Sequence, residues 1–338
     1  MGLLYDLSKK YNTLSIVGMS KNAGKTTALN YLIEEADDEG IVLGVTSTGR
    51  DGETTDLVTG TEKPRVYLYE DTLVSVPTNL YELGEAGLEI LEKSAYRTSI
   101  GEMLLCKVQE SGYVQIAGPV ATADTKVLTD KMIDLGAELV LIDGAIDRKS
   151  IASPYTSDAI ILSSGAVLSR NMKTMVQETA HVVNLYQSQE LPEGNLKEQV
   201  LKVMKEEKVV VFKNDEPEIL PLSTGLGAGR KIDQAIDESV DAVYIPGALT
   251  PSVLDGISFD KFQRVTFVLK DPTRIFFDAI TWKKLLKKGL NVKVLKNIHV
   301  AMVTVNPYSP EGYSFDSSKL KAEMEEALPG IPVIDVRM

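Results

Sequence analysis

Residues 13–27 read TLSIVGMSKNAGKTT, an apolar run that ends in a glycine, followed by a polar turn and a Gly-Lys-Thr-Thr segment. The pattern predicts a buried strand that ends at Gly18, a turn, and a helix that begins at Thr26. In such a turn, backbone N–H groups and the helix N-terminus attract phosphate. We therefore expect a nucleotide-binding loop formed by Gly18, Asn22, Ala23, Gly24, Lys25, Thr26 and Thr27.

The residue types in this loop suit the parts of a Mg-ATP complex. A side chain at Gly24 would collide with the β-phosphate, and Lys25 would neutralise the β- and γ-phosphates. The Thr26 hydroxyl can ligate Mg²⁺, and Thr27 can cap the helix or contact the α-phosphate. The loop is one residue longer than the usual G-x-x-x-x-G-K-[ST] pattern. A chance Gly-Lys-Thr at the start of a helix is the alternative.

The composition is that of an ordinary globular chain with an acidic balance. The chain has 338 residues, of which 43% are hydrophobic and 25% charged, and its formal net charge is −12. Non-specific binding to nucleic acid or to anionic membranes is not expected, since both need excess Lys and Arg. The single cysteine, Cys106, stands in an apolar run, and no apolar run approaches the roughly 20 residues of a membrane span. We expect a soluble cytoplasmic protein without a signal peptide.

Short apolar runs alternate with amphipathic stretches along most of the chain, which predicts an α/β fold built on a parallel sheet. The polar segment QSQELPEGNLKE at 187–198 contains a proline and a glycine and predicts a hinge. We expect a parallel-sheet P-loop NTPase domain over 1–188, a linker over 189–204 and a second α/β domain over 205–338.

The long loop resembles the GT-x-x-x-x-GKT loop of dethiobiotin synthetases and of the CobQ- and MinD-like branch of P-loop NTPases. The resemblance continues at 139–145, LVLIDGA, which parallels the strand-then-acidic segment of the same enzymes. It implies that Asp143 is the second magnesium-binding position. A carboxylate at the carboxyl end of a buried parallel strand would also lie beside a phosphate loop, although a solvent-exposed strand end is the alternative.

MinD-like proteins carry a signature lysine five positions before the loop lysine and dimerise through it. In this chain that position is Ser20, and the nearest lysine is Lys21. The motif therefore does not support dimerisation through a lysine contributed in trans. The role of Lys21 stays open, and so does the oligomeric state, with a homodimer as one alternative.

A polar loop, TGRDGETTD at 48–56, follows the second predicted strand and should lie at the same edge of the sheet as the phosphate loop. In it, Asp51 or Glu53 can hold Mg²⁺ or orient water, and Arg50 can contact phosphate, whereas a polar surface turn is the competing interpretation. Weaker candidates are the turn at 117–126 with Lys126, the charged residues 147–149 and the glycine-rich 225–229. The predicted catalytic residues are Lys25, Asp51 and Asp143, and the predicted metal ligands are Thr26, Asp51 and Asp143.

A longer set of segments in the N-terminal half is similar to the small P-loop proteins encoded with cobalamin-dependent lysine and ornithine aminomutases. These segments are 45–56, 63–70, 111–119, 139–154 and 158–169. The resemblance implies a subunit of a lysine 5,6-aminomutase reactivase, which uses ATP to release damaged cobalamin. Its implied partners are a MutS-like ATPase and the aminomutase. The chain has no D-x-H-x-x-G cobalamin motif, so we do not expect it to ligate cobalt itself.

Three functions remain open from the sequence. The first is a slow ATPase whose hydrolysis changes the conformation of a protein partner. The second is a synthetase of the dethiobiotin type that activates a carboxylate, for which Lys21 and Lys126 are the only substrate-binding candidates. The third is a nucleotide-binding module with negligible turnover. The chain lacks the N-K-x-D tetrapeptide that reads guanine in GTPases, so ATP with Mg²⁺ is the expected ligand.

Overall fold

A computed structural model describes residues 2–48, 66–98, 101–119, 121–144, 154–222 and 227–336 of the chain. Its strands are β1 Thr13–Gly18, β2 Leu43–Ser47, β3 Val66–Leu68, β4 Leu73–Pro77, β5 Gly87–Thr98, β6 Gly101–Glu110, β7 Gly112–Val114, β8 Leu139–Asp143, β9 Ala159–Gly165, β10 Val210–Lys213, β11 Glu216–Ile219, β12 Val240–Tyr244, β13 Thr266–Leu269, β14 Asn291–Val294, β15 Val300–Asn306 and β16 Val333–Asp335.

The α-helices are α1 Leu3–Ser8, α2 Lys25–Glu39, α3 Thr122–Asp134, α4 Met172–Tyr186, α5 Asn195–Val203, α6 Gly229–Ala235, α7 Pro251–Leu254, α8 Phe259–Arg264, α9 Ala279–Lys287 and α10 Ser317–Ala327. Short 3₁₀ helices span Thr78–Leu83, Ala166–Leu168, Met204–Glu206 and Pro272–Arg274. Within these described ranges, no helix is long and apolar enough to cross a membrane.

The largest element is a nine-stranded sheet with the order β16-β15-β9-β1-β8-β2-β4-β6-β5. From β16 to β4 every neighbouring pair is parallel, whereas β6 pairs antiparallel with both β4 and β5. The strands at its centre are almost wholly buried, as expected when helices cover both faces of a parallel sheet. The predicted α/β class is therefore confirmed as a mixed α/β fold with a large, mostly parallel sheet.

The sequence of helix α2 explains why the helix packs against the large sheet. Its buried residues recur with helical spacing, and they pack with the apolar residues of the strands in one core. Gly40 ends the helix in a left-handed conformation, which glycine adopts without steric cost. The buried helix face comprises Ala28, Leu29, Leu32, Ile33 and Ala36.

A second sheet has five strands in the order β11-β10-β12-β13-β14. Strands β12, β13 and β14 run parallel, and β10 pairs antiparallel with β11 and β12. Large aromatic side chains fill the cores on its two faces. The fully buried aromatic residues are Phe212, Tyr244, Phe262 and Phe267.

The division of the chain differs from the predicted one. Residues 1–179 and 300–338 form one compact unit, and residues 180–299 form the other. The segment 205–338 is not one domain, because β15 pairs with β9 and β16 pairs with β15 in the large sheet. The predicted linker contains helix α5, whose Val200 is buried in the second unit. The smaller α/β unit is thus inserted into the larger one and does not simply follow it.

Cys106 lies on β6, where it pairs with Val74 of β4 and is buried in the main core. Burial raises the pKa of its thiol from 9.0 to about 11, because the apolar surroundings disfavour the thiolate.

Leu141→Ala should lower the free energy of unfolding by about 2 to 5 kcal/mol, because this fully buried side chain lies on a central strand of the large sheet. The matched control is Leu135→Ala, since Leu135 is 48% exposed and its loss should cost less than about 0.5 kcal/mol. Urea unfolding of both variants tests this. Equal losses of unfolding free energy would contradict the core described above.

The Cys106 thiol should react with an aromatic disulfide reagent at pH 8 only after unfolding. The thiolate is the reactive form, and the folded chain keeps the thiol protonated until the pH approaches its raised pKa. The raised pKa also means that this group favours the folded state below about pH 9 and that its contribution is lost as the pH rises toward 11. Rapid reaction of the thiol in native buffer would show that Cys106 is not buried as described.

Candidate functional site

The phosphate-binding loop predicted from the sequence lies at the carboxyl end of β1. The N–H of Met19 donates a 2.9 Å hydrogen bond to the carbonyl of Ser163 at the end of β9, which fixes the first residue of the loop. The loop then turns through two residues with positive φ, Asn22 at 62° and Gly24 at 100°. Helix α2 begins at Lys25, one residue before the predicted start.

Position 24 requires a glycine, because of its backbone conformation and because another side chain lies close to it. A Cβ on this residue would lie 3.0 Å from the Cβ of Asn306, tighter than most contacts of real side chains. Asn306 is the last residue of β15 and is 7% exposed, and its Oδ1 accepts a hydrogen bond from the N–H of Tyr308. The sequence interpretation did not identify Asn306. Its only signal is a polar residue at the end of the apolar run 300–306.

The start of α2 presents backbone donors toward the loop. The N–H of Ala28 bonds to the carbonyl of Gly24, as the first bond of a helix does. The N–H groups of Lys25, Thr26 and Thr27 precede that bond, so they have no acceptor within the helix. Its first turn contains no acidic residue. This arrangement of donors is the one that binds anions at helix N-termini.

Lys25 and Asp143 meet at this edge of the sheet. The Nζ of Lys25 lies 3.5 Å from Oδ1 of Asp143 and also donates to the carbonyl of Gly144. Both side chains are largely buried, with 12% and 18% exposure. A pair this sheltered is screened less by salt than a surface pair. The structure thus brings together two of the predicted site residues that are far apart in the chain.

The strand order explains why they meet. Asp143 pairs in register with Ile16 of β1 on one side and with Ser47 of β2 on the other. The chain passes from β1 to strands on one side of it and later returns from β8 to β9 on the other side. Such a switch in direction opens a crevice at the carboxyl ends of the strands, which is where open α/β sheets bind ligands.

Thr48 adds an unsatisfied polar atom near the end of β2. Its N–H donates to the carbonyl of Asp143 at 3.0 Å, and its side chain is 7% exposed. Among the described residues, the Oγ1 atom of Thr48 has no hydrogen-bond partner. Buried hydroxyls are usually satisfied, so this oxygen could still accept a partner that the described residues do not supply.

Other predicted residues are placed less informatively. Arg50, Asp51 and Glu53 lie outside the described residues, as do 147–149 and part of 225–229. Lys126 forms an ion pair with Asp130 one turn along its own helix. The turn at 117–119 does reach the strand ends, because a Cβ on Gly118 would lie 1.7 Å from the carbonyl oxygen of Ser47.

Fold and site together define a mixed α/β protein with a glycine-flanked lysine loop at the switch point of its large sheet. Comparisons with protein-family models, curated proteins and solved structures found no match.

Alanine at Gly24 and at Gly40 should have different effects, although both glycines are left-handed and bound the same helix. Each substitution carries a backbone cost of about 1 to 2 kcal/mol. Only at Gly24 does the new Cβ meet a neighbour, whereas a Cβ on Gly40 meets nothing within 4 Å. Gly24→Ala should therefore lose more unfolding free energy than Gly40→Ala in urea titrations.

A double-mutant cycle isolates the contact behind that difference. Removing the neighbouring Cβ with Asn306→Gly should reduce the additional cost of Gly24→Ala, because the two changes act on one contact. Strict additivity of the two substitutions would show that Asn306 does not restrict the loop.

Proposed function

We propose that the chain binds Mg-ATP at the loop 18–27 and hydrolyses it slowly to drive a change in a protein partner. The observation that carries the proposal is the meeting of Lys25 with Asp143 at the switch point of the large sheet, where α2 begins with N–H groups that have no acceptor within the helix. A cation, backbone donors and a carboxylate at one edge are the groups that a nucleotide triphosphate with its metal requires.

The residues fit the expected ligands. Gly24 carries no side chain of its own between its backbone and a phosphate, and Lys25 can reach the β- and γ-phosphates from the start of the helix. Thr26 and Asp143 offer hydroxyl and carboxylate oxygens, the hard donors that Mg²⁺ prefers. Bound Mg²⁺ would neutralise charge on the phosphate oxygens.

Lys25 has to exchange partners when phosphate arrives. In the structure its ammonium is bound to Asp143 and to the Gly144 carbonyl. Phosphate offers the Lys25 ammonium a stronger, doubly charged acceptor, so phosphate binding should draw Lys25 away from Asp143. A Mg²⁺ ion held by Asp143 would replace the positive charge of Lys25 beside that carboxylate, so binding of phosphate and of metal should support each other.

The partner assignment rests on resemblance. The similarity of five segments in the N-terminal half to aminomutase-associated P-loop proteins makes a cobalamin-dependent aminomutase and its MutS-like ATPase the first partners to test. The synthetase alternative needs a free lysine for substrate, and the ion pair of Lys126 with Asp130 does not favour it.

Lys25→Ala should weaken ATP binding by about 10- to 100-fold, the loss of a charge-assisted hydrogen bond to phosphate. Lys21→Ala is the matched control, and it should leave affinity near wild type because the loop lacks the MinD-like signature position at Ser20. Calorimetric titration with ATP, with and without Mg²⁺, measures both. Wild-type affinity in Lys25→Ala would refute the nucleotide site.

Turnover measurements separate the possible roles. ATP hydrolysis should be slow alone and faster with the aminomutase and the MutS-like ATPase present, since a partner can complete such a site. Stimulation by one carboxylate metabolite instead would favour a synthetase. Tight binding with no turnover under any of these conditions would leave a nucleotide-binding module.

A further inference from the structure

A basic segment stands out in this acidic chain. Residues 279–299 contain six lysines and no Asp or Glu, whereas the whole chain has a formal net charge of −12. Helix α9 and strand β14 form most of this segment. Its lysines are Lys283, Lys284, Lys287, Lys288, Lys293 and Lys296.

Helix α9 has a buried face and an outward face of unusual composition. Trp282 is buried against Phe277, with ring centroids 5.5 Å apart. The opposite side carries an isoleucine that is 67% exposed and three exposed lysines, all related by helical spacing. We call this set the lysine face, and it consists of Ile280, Lys283, Lys284 and Lys287.

Nothing in the described part of the chain neutralises the lysine face. No carboxylate there lies within ion-pair distance of its three lysines. Lys283 and Lys287 are a like-charged i,i+4 pair, which destabilises a helix. The helix dipole favours lysines in the last turn, such as Lys284 and Lys287, but it does not explain an exposed isoleucine beside them. The face therefore has the composition of a surface that meets an acidic and partly apolar partner.

The same chain carries a surface of the complementary kind. A cavity of about 150 Å³ opens at the carboxyl-terminal end of α2, next to the start of β2. Apolar residues supply much of its lining, and acidic residues surround it. The apolar part is Ile33, Ala36, Ile41 and Leu43, and the acidic residues in and around it are Glu34, Asp37, Asp38, Glu70 and Asp71.

This surface, which we call the acidic pocket, is strongly negative. Asp71 is paired with Lys107 at 2.7 Å, but within the described residues Glu34, Asp37 and Asp38 have no ion-pair partner. Tyr69 lines the cavity, and burial together with the nearby carboxylates raises the pKa of its phenol. The contribution of the carboxylates is consistent with negative charge around the cavity. The carbonyl groups that end α2 add partial negative charge at the same place.

We propose that the lysine face of one copy of this chain docks into the acidic pocket of a second copy. A lysine side chain suits the pocket, because its aliphatic stem can cover the apolar lining while its ammonium reaches the acidic rim. The contact is heterologous, with two different surfaces meeting. One short helix and one small pocket bury little area, so the association is weak and sensitive to salt.

Sedimentation equilibrium of the full chain tests the proposal without any nucleotide. At about 0.2 mM protein and low ionic strength, the weight-average mass should exceed the 36.9 kDa monomer, and it should return to the monomer at about 0.5 M salt. A monomer at low salt overturns the proposal, and so does an association that salt does not weaken.

Charge reversal on each surface identifies the contact. Lys283→Glu with Lys284→Glu and Lys287→Glu removes the lysine face, and Asp37→Lys with Asp38→Lys removes the acidic pocket. Each variant alone should be monomeric. A mixture of the two should form a one-to-one complex that grows no further, since the only intact surfaces left belong to different chains.

The control reverses two exposed lysines elsewhere in the same unit, Lys202→Glu and Lys205→Glu. This variant should associate like wild type, because it also makes the chain more negative but leaves both surfaces intact. Loss of association in the control would show that overall charge causes the dissociation of the variants, and it would reject the docking. A mixture of the two variants that stays monomeric would also reject it. Circular dichroism confirms that each variant is folded, and the salt dependence of the wild type stands regardless.

Discussion

The parallel register between β1 and β8 is the constraint on which the candidate site depends. Ile16 pairs with Asp143, so the carboxylate is level with the end of β1 just before the chain turns into the loop. Helix α2 packs its apolar face back onto the sheet, which carries its first residue, Lys25, over the same edge. A slip of one residue would turn Asp143 to the other face of the sheet and separate the pair.

The sequence predicted those parts of this arrangement that depend only on residues close together in the chain. The apolar run before Gly18, the helix pattern after it and the buried strand that ends in Asp143 each specify local structure, and the structure forms all three. The mixed α/β class followed from the same patterns. Placing Asp143 at a strand end also placed it at the ligand edge, because all central strands of a parallel sheet end on one side.

What the sequence did not predict depends on pairing between distant segments. The apolar run 300–306 has the pattern of a strand, but nothing in its own residues shows that it pairs with β9 and not with the sheet that precedes it in the chain. The domain boundary was therefore misplaced. For the same reason Asn306 was overlooked, since its importance comes from Gly24 at the other end of the chain.

The insertion of one unit into the other sets the order in which the protein is completed on the ribosome. Residues 180–299 are all synthesised, and are free to fold as a unit, while β9 is still an open edge awaiting β15. The Gly-Lys-Thr-Thr segment is synthesised before the inserted unit, whereas the Asn306 side chain that bounds it is synthesised after that unit. An incomplete chain that stops before residue 300 thus contains the whole motif but lacks Asn306, the side chain that packs against Gly24.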